Sequence, residues 1–172
     1  MSTLLNIDGE QQDPYTFVEE AEQLSQTPGW LLVPLALAEP LLAQGRNDAF
    51  GIVVNNHTSI EAIEPLIERA SLIAVEFPAF TDGRGLSLAV RLRRAGFTGT
   101  LRARGPVIAD QFREILACGF DEVEIPQTVA ERQPFDQWKQ AETIISLHYQ
   151  TSHGAENSIL QKRLAARRKA RP

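Results

Sequence analysis

The chain has 172 residues, 43% of them hydrophobic, which suits one domain with a sizeable core. Its net charge of −5 is uneven: Lys162, Arg163, Arg167, Arg168, Lys169 and Arg171 give residues 161–172 a charge of +6, and the first 160 residues carry −11. An acidic body excludes broad nucleic-acid binding except through that basic tail, no apolar run approaches the ~18 residues of a membrane span, and the single cysteine, Cys118, excludes an internal disulfide or a Cys-x-x-Cys redox pair.

No basic region followed by an apolar one opens the chain, so a soluble, cytoplasmic protein is expected. Residues 1–29 are polar and read as an N-terminal extension, with an edge strand at 4–7 before Asp8-Gly9 and a short helix at 17–24. Residues 30–37 read as a buried strand, which Pro34 demotes toward an edge or a bulge. A helical turn at 39–44 closes at Gly45. Residues 51–55 form a clear strand. Thr58 precedes Glu61 by the spacing of a capping box, which satisfies two orphan backbone donors. Ile60, Ile63, Leu66 and Ile67 recur at helical spacing and should face the sheet, while Pro65 implies a kink or two short helices.

Residues 72–125 are the most regular part. The β-branched run 72–77 stops at Pro78 and opens into the loop 80–85. A helix follows with Leu86, Ala89, Val90 and Leu92 inward; Arg91, Arg93 and Arg94 oppose its negative pole, and Gly96 caps it. Residues 100–104 are the next strand and Gly105-Pro106 the next turn. The helix 107–120 carries Val107, Ile108, Phe112, Ile115 and Leu116 on one face, and 121–125 is a further strand. A last helix spans 135–149, with Trp138, Ile144, Ile145 and Leu147 for burial, and 151–172 is a basic, flexible tail. Successive β-α-β units imply a parallel sheet. The expectation is one α/β domain over 30–150, a mainly parallel sheet of about five strands with flanking helices. An open doubly wound sheet is favoured over a partial barrel, because the chain is shorter than the roughly 200 residues of a complete eight-stranded barrel.

Ligands collect at the carboxyl ends of parallel strands. Thr81, Asp82, Gly83, Arg84 and Gly85 lie at such an end. The two glycines permit positive φ and close backbone approach, and the helix that follows presents free N–H groups. Arg84 suits a two-pronged contact to sulfite, phosphate or carboxylate. Asp82 reads as a base, as the holder of Arg84 or as a helix cap. Arg102 and Arg104 share one face by alternation and either join Arg84 at the sheet edge or leave Arg104 to pair with Asp110. Asp110 and Gln111 open the following helix. The loop is neither a Walker sequence nor a dinucleotide fingerprint. His57, His148 and His153 lack metal-ligand spacing, no metal is expected, and Cys118 near a helix C-terminus reads as packing.

The run FPAFTDGRGLSLAVRLRRAGFTGTLRARGPVIADQFREILACGFDEVEI, residues 77–125, resembles the bacterial domain-of-unknown-function 934 family. The matching elements are Phe77-Pro78, Thr81 to Gly85, Gly96 to Gly99, Leu101 to Ala103, Asp110-Gln111 and Cys118 to Asp121, with His148-Tyr149-Gln150 similar to the family's ending. Pro106 stands where many members have aspartate, so no acid role falls there. The resemblance implies an association with assimilatory sulfite reduction and an oxidoreductase description, with sulfite reductase as partner. Sulfite reduction needs metal or flavin centres, and this chain shows no ligand set for a haem or cluster. Three readings follow. The first is an accessory protein of sulfite reduction that binds an anion or a partner at 81–85 and has no cofactor of its own. The second is an oxidoreductase subunit with a flavin or nicotinamide at the same edge. The third is a non-redox enzyme acting on a small anion.

Overall fold

Eight strands form one sheet in the computed structural model, which describes residues 2–144. They are β1 (Ser2–Asn6), β2 (Gly9–Gln11), β3 (Tyr15–Phe17), β4 (Trp30–Pro34), β5 (Phe50–Asn55), β6 (Leu72–Glu76), β7 (Thr100–Arg104) and β8 (Glu122–Pro126). The helices are α1 (Ala38–Ala43), α2 (Ile60–Ile63), α3 (Arg84–Arg94), α4 (Phe112–Ala117), α5 (Gln127–Ala130) and α6 (Phe135–Ile144). The order across the sheet is β2-β1-β8-β7-β6-β5-β4-β3. From β3 to β8 every strand lies parallel to its predecessor, while β1 runs antiparallel to β8 and β2 to β1.

A strand order that steps always in one direction, with right-handed crossovers, puts all the helices on one face. The main core fills that face, from Leu31 and Val33 through Ile52, Ile73, Val75, Leu101 and Val123 to Leu88, Phe112 and Trp138. Phe112 meets Trp138 edge-on at 5.5 Å between ring centres, and Phe77 meets Phe120 at 5.9 Å. The other face holds a small cluster, Leu32, Val53, Leu72 and Ala74, under Tyr15 and Phe17. With both faces covered, the middle strands read as continuous apolar runs.

The sheet is curled. Its two edge strands, β2 and β3, are joined by residues 12–14 alone. Such a link spans at most about 15 Å, whereas eight strands laid flat would separate the edges by about 34 Å. The architecture is therefore a mixed, eight-stranded partial barrel and not an open doubly wound sheet of about five strands. Weighing length against a complete barrel misled the sequence reading. Several connecting helices are very short, with six residues in α1 and α4 and four in α2. The N-terminal hairpin adds two strands with no helix at all.

The N-terminal segment thus supplies strands at both edges. The strand expected at 4–7 is β1, one place in from the edge. In place of the helix at 17–24 there is β3, prolonged by Val18 N–H donating to Leu32 O at 2.9 Å, and a single 3₁₀ turn, Ala21–Gln23. Pro34 ends β4 and opens the 3₁₀ turn Leu35–Leu37. Ser59, not Thr58, is the N-cap of α2, and no side-chain cap bond forms there. Pro65 divides that helix as expected, into α2 and the 3₁₀ turn Glu64–Leu66. No helix among the described residues is long and apolar enough to cross a membrane. The side chain of Ile144, residues Ile145, Leu147, His148, Tyr149, Gln150 and His153, and the tail 151–172 lie outside the described residues.

Candidate functional site

The loop after β6 is held from several sides. Phe77 N–H donates to Arg104 O at 2.7 Å, and Asp82 N–H to Ala79 O at 3.1 Å. Gln111 Nε2 donates to Phe80 O at 2.6 Å, while its Oε1 accepts from Ile108 N–H at 3.3 Å. Asp82 accepts from Arg84 N–H at 3.2 Å, Nε at 2.9 Å and Nη2 at 2.6 Å. Arg84 is therefore clamped within its own loop, although its side chain is 63% exposed. The expectation that Gly83 and Gly85 turn through positive φ is not met. Gly83 is the N-cap of α3 with φ −77°, and neither glycine is among those with positive φ. Gly85 is needed for space: a Cβ there would lie 2.5 Å from the Phe77 ring.

The hydrogen bond from Arg84 holds the Asp82 carboxyl well below the usual carboxylate range. Such a group contributes stability above the unfolded-state value near 3.8, lost only as pH falls through the depressed folded value. Glu122 moves the other way, because burial outweighs the pull of Arg102 and raises it above 4.5. On acidification followed by carboxyl NMR, Glu122 should protonate before an ordinary glutamate and Asp82 should stay ionised below pH 3.8. An Asp82 that titrates at its ordinary value would show that Arg84 is not held.

Alternation does place Arg102 and Arg104 on one face, the concave one, but they do not join Arg84 as a trio. The Arg102 side chain is 1% exposed and sits inside the barrel. It donates to Asp13 at 2.6 and 3.0 Å, to Glu122 at 2.8 Å and to Glu124 at 3.3 Å. Burial alone would lower its pKa, but Asp13 and Glu122 outweigh that and hold it above the ordinary arginine value. Arg104 pairs with Glu124 at 3.4 Å and not with Asp110, which is exposed on the 3₁₀ turn Ala109–Gln111. The Arg104 guanidinium lies 4.0 Å from the centre of the Phe17 ring. Asp13, Phe17, Glu122 and Glu124 escaped the sequence reading. A signal existed for the glutamates: Arg102 and Arg104 on β7 stand opposite Glu122 and Glu124 on β8, a cross-strand charge match. For Asp13 there was none.

The loop 81–85 does lie beyond the carboxyl end of β6. A cleft of about 440 Å³ opens at the carboxyl ends of β5, β6 and β7. Asn55, Asn56, His57, Glu76, Arg84 and Arg104 line it, with Phe77, Pro78 and Gly105. A cleft of about 480 Å³ adjoins it and shares Asn55 and Glu76. Another of about 360 Å³ shares Arg104 and Gly105. All three ring the barrel mouth, the end at which barrel folds carry their sites. The hollow of about 850 Å³ at the opposite end includes Arg46, whose guanidinium is already donated to the carbonyls of Leu24, Thr27 and Gly29. Burial and neighbouring Glu114 push the Cys118 thiol up, away from nucleophile character.

Two features that a cofactor phosphate would use at this edge are already engaged. The first N–H of α3 is taken by Asp82, and the space beside Gly85 is filled by Phe77. Among the described residues no group of three His, Cys, Asp or Glu is placed to hold a metal ion.

A family model described as bacterial protein of unknown function, DUF934, matches residues 51–160. No curated protein matches the chain.

Proposed function

Since this chain belongs to the DUF934 family of bacterial proteins, we propose that it is a cytoplasmic accessory protein of assimilatory sulfite reduction that docks a partner through the loop 81–85. The setting comes from the family resemblance, which makes sulfite reductase the first partner to test. The observation that carries the docking reading is the exposure of Phe80, at 50%, and of the Arg84 side chain, at 63%, on one braced loop. Aromatic and arginine side chains supply most of the energy of protein interfaces. A loop already held by Gln111 and Asp82 loses little freedom on binding. A free anion would have to compete with Asp82 for Arg84, so a partner surface suits this loop better than a small oxyanion.

Sulfite reductase as bait should capture the purified protein. The Phe80→Ala/Arg84→Ala double variant should weaken capture by about 2 kcal/mol or more, some thirtyfold. Arg84→Ala alone should cost less than about 1 kcal/mol of stability, as exposed positions do, while impairing growth on sulfate and sparing growth on sulfide. Undiminished capture by the double variant would sink the docking reading. Full growth on sulfate would remove the link to sulfite, and stoichiometric flavin absorbance would replace an accessory protein by an oxidoreductase.

A further inference from the structure

Three side chains at the barrel mouth carry polar atoms that no hydrogen bond or ion pair engages. Glu76 ends β6, half-buried, beside Asn55 of β5 and Arg104 of β7. Its carboxylate makes no hydrogen bond or ion pair among the described residues. Arg104 spends Nε on Glu124 and its face on Phe17, and its Nη1 is buried with no acceptor. Asn56 is 3% exposed; its Oδ1 lies 3.3 Å from His57 Nδ1. The Asn56 amide helps to keep Asp82 charged, yet its Nδ2 makes no hydrogen bond of ordinary geometry. Buried polar atoms without partners are uncommon, and each calls for an explanation such as a water or an ion. Here residues with an unused acceptor and unused donors line one cleft.

We infer that the mouth binds a small zwitterion of the amino-acid class, its carboxylate toward Arg104 and Asn56 and its ammonium toward Glu76. The charges around the cleft argue for both ends. Asp82 neutralises Arg84, and Glu124 is shared between Arg102 and Arg104. Glu76 is left to repel a bare anion, and a bare amine leaves the buried Arg104 Nη1 without an acceptor. Adjacent strands stand about 4.8 Å apart, so one small molecule reaches both residues. Rejection of a bare anion by Glu76, and of a bare amine by the donor it leaves unmet on Arg104, is a source of specificity beside the attraction. The cleft of about 440 Å³ is of small-molecule size. The inference does not depend on partner docking, because neither Phe80 nor Arg84 is among the groups that hold the zwitterion.

The test is a titration of the ¹⁵N-labelled full chain with each L-amino acid. Propionate, ethylamine and sulfite serve as probes that lack one group. At least one amino acid should shift the amides of Asn56, Phe77 and Gly105, and propionate and ethylamine should bind about tenfold or more weakly. Glu76→Gln, nearly isosteric, should keep the fold and lose the preference for the amino acid over propionate, while partner capture is unchanged. Arg104→Lys should weaken the amino acid while ethylamine binding persists. Sulfite or propionate binding as tightly as the best amino acid overturns the inference. So does the absence of shifts from every amino acid up to about 10 mM. Should a variant fail to fold, the selectivity of the native chain decides.

Discussion

Replacing Arg102 with methionine is expected to lower stability by about 3–5 kcal/mol, the effect of removing one partner from a buried ionic cluster. Methionine keeps most of the apolar volume, so the loss reports charge more than packing. Asp13 and Glu122 would lose their cation, and Glu124 would keep Arg104 alone. Glu122 is already raised by burial with Arg102 present, and the variant should raise it further. A carboxyl whose folded pKa is raised contributes stability at low pH and loses it as pH climbs through the folded value. The gap between variant and native protein should therefore narrow from pH 7 toward pH 5, read by urea unfolding at both. Adding Asp13→Asn and Glu122→Gln to the variant should restore much of the loss, because neutral groups replace stranded charges. A loss below about 1 kcal/mol, the range of surface pairs, or a gap indifferent to pH, would show that the cluster is solvated and not a strut of the barrel.

Gly105→Ala should be the most damaging single methyl group in the chain, costing more than about 4 kcal/mol, a range reserved for severe mechanisms. Gly105 has φ +136°, and a Cβ there would overlap the carbonyl oxygen of Phe77. Both sides of the overlap are pinned backbone: Gly105 N–H donates to Glu124 O at 2.9 Å and Phe77 N–H to Arg104 O at 2.7 Å. Gly85→Ala meets the Phe77 ring instead, which can shift slightly, so about 1–3 kcal/mol is expected. At Gly83, φ is −77° and the nearest atom to a Cβ is 3.9 Å away, so alanine should cost no more than about 1 kcal/mol, mainly as a poorer N-cap. Thermal and urea unfolding of the three variants should rank them 105, 85, 83. If Gly105→Ala unfolds like Gly83→Ala, the close approach of β6 and β7 at the mouth is wrong.

The sequence by itself determined the strands β5 to β8, helix α3 and the position of the loop 81–85 at a strand end, while the helix expected at 107–120 is only the 3₁₀ turn Ala109–Gln111 and the six residues of α4. These signals are carried by neighbours along the chain: apolar runs as long as a strand, helical spacing in α3, and glycine or proline at the joints that follow β6. It also placed Arg102 and Arg104 on one face, because alternation is a property of a single strand. Their partners were a matter of which strand lies next. Asp13 and Arg102 are 89 residues apart, and nothing near either one names the other. Only the tertiary structure decided that the N-terminal segment pairs at both edges, that the sheet curls, and that Arg102 is buried in the barrel and unavailable to a ligand. The same β-α-β units build an open sheet when the strand order reverses and a barrel when it does not. That choice is made by the sum of long-range pairings and by a three-residue link that brings the two edges together.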